Sequence, residues 1–223
     1  MGQTLIAYVA AAVAAASHAG APPNGATAAL AARPLHGSVV LRARPDGPPL
    51  VRVGPRAMYG APLVLGVVGV RGQWLKVTSQ ALPNGHYSWV RFGSEVAVEP
   101  LQWRLSVSLS RRRLDVVRDG RVVRSIPVGI GRSDSPTPVG RFAVAEKFTG
   151  SFGPAFGTHL LVLTARQPRL PPGWNTSVTY FVAIHTGAGE GTAVSAGCLH
   201  VTAAEAGYLM RTVPLGTPVQ ISS

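Results

Sequence analysis

The 223-residue chain reads as mainly β, with a small strand-rich unit ahead of a larger one. Three observations set this class. Short apolar runs recur between turn signals over residues 37–100; Leu105, Val107 and Leu109 alternate with Ser106, Ser108 and Ser110; and one late segment, opening at Thr202, carries the main helix signals. Alternation with period two is the mark of a strand that buries one face.

In the first unit, expected at 37–100, the strands are Val39-Val40-Leu41, Leu50-Val51-Arg52-Val53, Pro62 to Val70, Trp74-Leu75-Lys76-Val77 and Trp89-Val90. Arg71-Gly72 and Pro83-Asn84-Gly85 read as turns between them. Five short strands at this spacing suggest a small barrel, with Trp74 and Trp89 expected in its core. In the second unit, expected at 103–222, Asp119-Gly120 is a hairpin signal joining Leu114–Arg118 to Arg121–Arg124. Arg141 to Ala145, Leu160 to Leu163, Tyr180 to Ile184 and Val219 to Ile221 follow as strands. Thr202-Ala203-Ala204-Glu205 fits a capping box, and Ala206, Leu209 and Met210 continue an apolar helix face. Two long loops, 147–158 and 166–179, hold Phe148, Phe152, Phe156 and Trp174, which either line a cleft or pack locally.

At the N-terminus, Leu5 to Ala16 is a 12-residue apolar stretch followed by Ser17-His18-Ala19, a small-x-small cleavage pattern. It is too short to span a bilayer. Residues 1–19 are therefore expected to be a signal peptide, although no Lys or Arg precedes Arg33; the alternatives are an uncleaved anchor, the one route to a membrane, or a mis-chosen start site. Residues 20–36, rich in Ala, Pro and Gly and without periodicity, are expected to be a disordered linker.

Formal net charge is +12, from 21 Lys plus Arg against nine acidic residues, which favours polyanionic partners by long-range attraction. The basic residues are scattered through strands, and no helix-turn-helix, RNP-type motif or zinc spacing accompanies them, so nucleic acid is not the expected partner. An anionic cell-wall polymer suits the charge at least as well.

Cys198 is the only cysteine. A lone thiol makes no intrachain disulfide and no multi-cysteine metal site, which leaves buried filler or nucleophile. Free Cys is among the most buried residue types, so filler is the commoner use. Here the thiol sits in Ser195-Ala196-Gly197-Cys198, a small, polar run after a loop, and Ile184-His185-Thr186 lies upstream at the end of an apolar run. Acyl transfer by a thiol needs a base and donors for an oxyanion. His185 is the candidate base, and the Gly197 and Cys198 amides are candidate donors.

These residues resemble the L,D-transpeptidases of bacterial cell walls, the YkuD family, whose signature is a His, a loop, and Ser-x-Gly-Cys followed by an apolar residue and usually Arg or Asn. The chain supplies His185, Ser195, Gly197, Cys198 and Leu199, with His200 where Arg or Asn is expected. Asp119 to Val123, Ile126-Pro127-Val128-Gly129 and Thr137-Pro138-Val139-Gly140-Arg141-Phe142 also resemble family segments. The resemblance spans residues 103–222 and implies a YkuD-type β-sandwich with one main helix after the cysteine. It implies Cys198 as nucleophile, His185 as general base, the Thr186 carbonyl orienting the His, Ser195 shaping the loop and meeting substrate, and the Gly197 and Cys198 amides as oxyanion hole. It implies peptidoglycan stem peptides as substrate, an extracytoplasmic location, and no metal or organic cofactor. With water as acceptor the same site would be an L,D-carboxypeptidase. His200 lacks the planar fork of Arg and implies altered preference or lower activity. The pattern "GxWLKV…LPNG…SWV" resembles bacterial SH3-like domains.

Three rivals stand beside this reading. Cell-wall cysteine peptidases of the NlpC/P60 type place Cys before His, opposite to the order here. Sortases need an Arg on a strand after the Cys, whereas Arg211 falls in the helix region. A non-catalytic wall-binding protein on the same fold is the third.

Overall fold

Seven strands, rather than five, build the first unit. The computed structural model describes residues 29–175, 177 and 179–223; the expected signal peptide and residues 20–28 of the expected linker lie outside them. The strands are β1 (Ala29–Pro34), β2 (Val39–Arg42), β3 (Pro49–Val53), β4 (Leu65–Arg71), β5 (Trp74–Thr78), β6 (Ser88–Arg91) and β7 (Val96–Leu101), in one sheet of order β3-β2-β6-β5-β4-β1-β7. The five sequence-expected strands are present, flanked by two that the sequence did not suggest.

The linker expectation fails over Ala29–Pro34. This segment is a central strand, antiparallel to both β4 and β7. Ala29 to Ala32 are all buried, so no polar alternation marks the strand and its alanines resemble the linker sequence before it. Small size is also what the site requires, because Ala31 lies against Gly216, where an added Cβ would come within 2.6 Å of it. The tryptophans also depart from expectation. Alternation along β5 and β6 turns Leu75, Val77 and Val90 into the core, and Trp74 and Trp89 stay half-buried on the other face, where Arg42 covers the Trp74 ring.

The second unit holds β8 (Trp103–Ser108), β9 (Arg113–Arg118), β10 (Arg121–Pro127), β11 (Ile130–Gly131), β12 (Gly140–Thr149), β13 (His159–Arg166), β14 (Phe181–Thr186), β15 (Ala193–Ser195), β16 (Leu199–Val201), α1 (Ala203–Thr212) and β17 (Pro218–Ser222). Eight of the strands form a sheet of order β10-β9-β8-β17-β12-β13-β14-β16, and β11 pairs β15 in parallel. The β9–β10 hairpin turns at Asp119 and Gly120, both at positive φ (50° and 80°), as a tight Asp-Gly turn demands.

α1 is the one helix among the described residues. Its N-cap Thr202 accepts the Glu205 N–H, but the Glu205 carboxylate does not return to the cap; it pairs with Arg124 at 2.8 Å. The helix lies on β13 and β14 and closes the main core, where Leu161, Leu163, Val182, Ile184, Leu199 and Leu209 are fully buried. No described helix is long and apolar enough to cross a membrane.

The two units are joined by polar contacts around packed backbone. Asn84 and Arg166 exchange two hydrogen bonds, Thr78 meets Thr164 at 3.0 Å, and Arg141 reaches the Val68 carbonyl at 2.8 Å. At Gly66, any side chain would run into Ala143. Both glycine contacts, at 66 in β4 and at 216 in the turn before β17, let backbone of the two units approach closely.

Candidate active site

Strand register assembles the site. In β12–β13–β14–β16, paired residues share a face, so Glu146, Val162 and Ala183 form one row and Phe148, Leu160, His185 and His200 the next. Cys198 lies two residues before His200, so it extends the first row beside Ala183, on the same face as His185. The opposite face of the same strands carries Leu161, Leu163, Ile184 and Leu199 and is sealed by α1. A register shift between Val144 and Glu146 makes the face assignment possible: Val144 belongs to the main core, and one extra residue turns Glu146 to the other side.

The Cys198 side chain packs on Val162, Phe181 and Ala183, and its Sγ accepts the Ala183 N–H at 3.4 Å. It is partly exposed. Burial pushes the thiol above its ordinary value, and the Ala183 N–H only partly opposes this. The N-terminus of α1 gives the thiolate little help. Leu199–Val201 intervene as a strand, and a helix dipole acts mainly within about one turn of its end.

His185 is 2% exposed. Its Nδ1 lies 2.8 Å from the Thr186 carbonyl, which can only accept, so Nδ1 carries the proton and Nε2 presents a lone pair. Desolvation lowers the imidazole to about 4, the Thr186 carbonyl pulls the other way, and His200 adds to the lowering. The ring is therefore neutral at neutral pH. The Phe156 ring, 4.9 Å away, and the His200 ring, 4.8 Å away, cover it. No Cys198–His185 hydrogen bond forms among the described residues.

The loop carrying the cysteine is tied from within. Ser195 Oγ donates to the Cys198 carbonyl at 2.6 Å and accepts the Gly197 N–H at 3.0 Å. The Gly197 amide, expected as an oxyanion donor, is engaged by Ser195 Oγ in the structure, and Ser195, expected to meet substrate, is 3% exposed. Gly197 is required by geometry, with φ at 113° and the Gln167 amide where a Cβ would stand. His200 is held by its Nδ1 on the Ala188 carbonyl at 3.0 Å, and its strand is paired on the far side by Gly129. His159 falls on the opposite face, near Gly207 of α1, and does not join the site.

Four residues to which the sequence assigns no role at the site contribute to it. Thr137 Oγ1 accepts the Gly131 N–H and donates to the Gly197 carbonyl at 2.8 Å, tying the Thr-Pro-Val-Gly segment to the cysteine loop. Gln167 bonds the Ala196 carbonyl from the start of the long 166–179 loop. Glu146, a lone acid after Ala143-Val144-Ala145, is fully buried, as an acid is only when its oxygens are partnered. Tyr59 reaches the site from the first unit. Of the expected aromatics, Phe148 and Phe156 line the face, while Trp174 packs on Tyr180. Among the described residues no group of three or more His, Cys, Asp or Glu side chains is placed to hold a metal.

The sequence profile of the YkuD L,D-transpeptidase catalytic domain matches residues 102–221. The chain belongs to this family. The putative L,D-transpeptidase YkuD of Bacillus licheniformis is 28% identical over 149 residues, which is 64% of this chain and 83% of that protein. Among solved structures, the L,D-transpeptidase (residues 123–326) from Xylanimonas cellulosilytica is 23% identical with a TM-score of 0.40, and the match covers 54% of this chain and 60% of that one. The LD transpeptidase LdtMt1, in complex with imipenem, is 19% identical with a TM-score of 0.43, over 71% of this chain and 90% of that one. The YkuD family acts on cell-wall peptidoglycan peptides, so the functional question narrows to what this site does with them.

Proposed function

We propose that this chain is an extracytoplasmic peptidoglycan L,D-transpeptidase that works through a thioester on Cys198. The observation that carries the reading is the shared face: the register of β14 and β16 puts the chain's one thiol on the same face as a histidine whose Nδ1–H is fixed on a backbone carbonyl. In the resting site both groups are neutral, so the thiolate forms as the donor binds rather than beforehand.

His185 Nε2 takes the Cys198 proton as Sγ attacks the carbonyl of the third residue of a tetrapeptide stem. The oxyanion is met by the Cys198 amide, since the Gly197 amide is engaged. The tetrahedral species collapses, the C–N bond breaks, and His185 returns the proton to the departing D-Ala amine. The amine of a neighbouring stem then attacks the thioester, gives its proton to His185 and releases the thiol, leaving a new amide cross-link. The Thr186 carbonyl keeps Nδ1 protonated throughout, whatever side chain residue 186 carries. His200 contributes a ring against His185, and its Nδ1 is occupied by the Ala188 carbonyl, so it does not replace the bidentate fork of an Arg.

Residues 103–222 would be the catalytic domain, and the sheet before it an SH3-like module lengthened by β1. Residues 1–19 would direct export.

Incubation of the purified protein with disaccharide-tetrapeptide, with products read by mass, tests the function. Dimer formation is the expected result. Loss of D-Ala alone would make the enzyme an L,D-carboxypeptidase, and neither product from folded protein would leave a wall-binding role.

A further inference from the structure

The loop between β3 and β4 leaves the first unit and ends on the catalytic face of the second. Its tip, Met58-Tyr59, is exposed, at 59% and 52%. The backbone beneath the tip is nonetheless fixed. Glu146, fully buried, accepts the Tyr59 N–H at 3.0 Å on each carboxylate oxygen and the Ala61 N–H at 3.2 Å, and Gln80 accepts the Met58 N–H at 3.1 Å. Hydrogen bonds to a buried carboxylate are among the stronger ones a protein makes, so the loop is held in one place.

That place is beside the nucleophile. The Tyr59 ring stands edge-on to Phe181 at 6.1 Å and to Phe148 at 6.4 Å, both of which pack with Cys198 in one apolar patch. Burial, then Glu146, then Cys198 raise the Tyr59 phenol, so charge on the sulfur is felt at this ring, and the hydroxyl stays protonated beside a thiolate. Phe181 and His185 lie two residues to either side of Ala183 along β14. Tyr59 on Phe181 and Phe156 on His185 therefore flank the Ala183–Cys198 row, with about 13 Å of strand between their supports. An extended peptide fits such a width.

We propose that the Tyr59 ring, supplied by the first unit, is one wall of the acyl-donor site, and that Glu146 is the positioning residue that holds it there. The inference rests on the proposed transpeptidase reading and adds to it a use for the first unit: the donor site is complete only when both units are present.

The test is steady-state kinetics of the full chain with disaccharide-tetrapeptide. Tyr59→Ala is expected to raise the donor KM about tenfold with kcat changed less than about threefold, Tyr59→Phe to stay within about twofold of wild type, and Glu146→Gln to raise KM in the same direction. Melting midpoints of the Tyr59 variants should match wild type, since the ring is half exposed. Unchanged kcat/KM in Tyr59→Ala, a loss carried by kcat or by a lowered melting midpoint, or a Tyr59→Phe as impaired as Tyr59→Ala would each overturn the wall. A wild type without turnover would instead bring down the transpeptidase reading itself, and the wall with it.

Discussion

One sheet, β12–β13–β14–β16, presents two faces of different design. On the helix side, Leu161, Leu163, Ile184 and Leu199 are fully buried in a continuous apolar core under α1. On the other side, the alternate positions of the same strands hold Glu146, His185, Cys198 and His200, covered by single aromatic rings from two loops. A residue and its neighbour in sequence thus answer to different requirements. Ile184 fills the core, whereas His185 presents a neutral imidazole on the face that carries the thiol. The rigid face supplies the precision that the reactive face needs, because a side chain on a packed strand is placed more accurately than one on a loop.

His185→Gln breaks the reactive face alone. It is expected to lower kcat/KM with tetrapeptide by at least about a thousandfold, the scale of a lost general base, while the circular dichroism spectrum is unchanged. Ile184→Ala breaks the other face. Urea unfolding should show a loss of about 2–5 kcal/mol, the usual cost of such a cavity, and any fall in turnover should track the folded fraction. If Ile184→Ala left stability intact but abolished turnover, the division between the faces would be wrong.

A smaller effect sharpens the comparison. His185 titrates at about 4 in the folded chain against 6.5 when unperturbed, so the unfolded chain takes up the proton first as pH falls. The stabilisation is complete above about pH 6.5 and lost between there and pH 4, by up to about 3 kcal/mol. Denaturant midpoints measured over that interval should fall in wild type and fall less in His185→Gln. Equal slopes for both proteins would show that the imidazole is not held neutral by the fold.

Much of this was legible in the sequence, for reasons that differ by region. Alternation found β8, the Asp-Gly turn found the β9–β10 hairpin, and the cap residue found α1, because each is a local device written in adjacent residues. A lone Cys198 in a Gly-containing loop with His185 upstream is a chemical pattern in the sequence, and the Thr186 carbonyl follows from the family resemblance; the structure sets the thiol and the imidazole on one face and the imidazole Nδ1 2.8 Å from that carbonyl. What the sequence hid was set at long range. β1 has buried residues on both faces and so shows no period. Trp74 and Trp89 were assigned to the core by size, whereas the strand register placed Leu75, Val77 and Val90 there. The engagement of the Gly197 amide by Ser195 depends on a loop closing on itself. Glu146 and Tyr59, 87 positions apart, meet only after the two units pack.

The measurement that bears most directly on the account is the intact mass of the protein after exposure to imipenem, whose strained β-lactam carbonyl a nucleophilic thiolate can open. Wild type should gain one adduct, localised by peptide mapping to Cys198, and Cys198→Ala, folded as judged by its melting midpoint, should gain none. An adduct on Cys198→Ala, or a wild type whose adduct maps to another residue, would contradict Cys198 as the nucleophile.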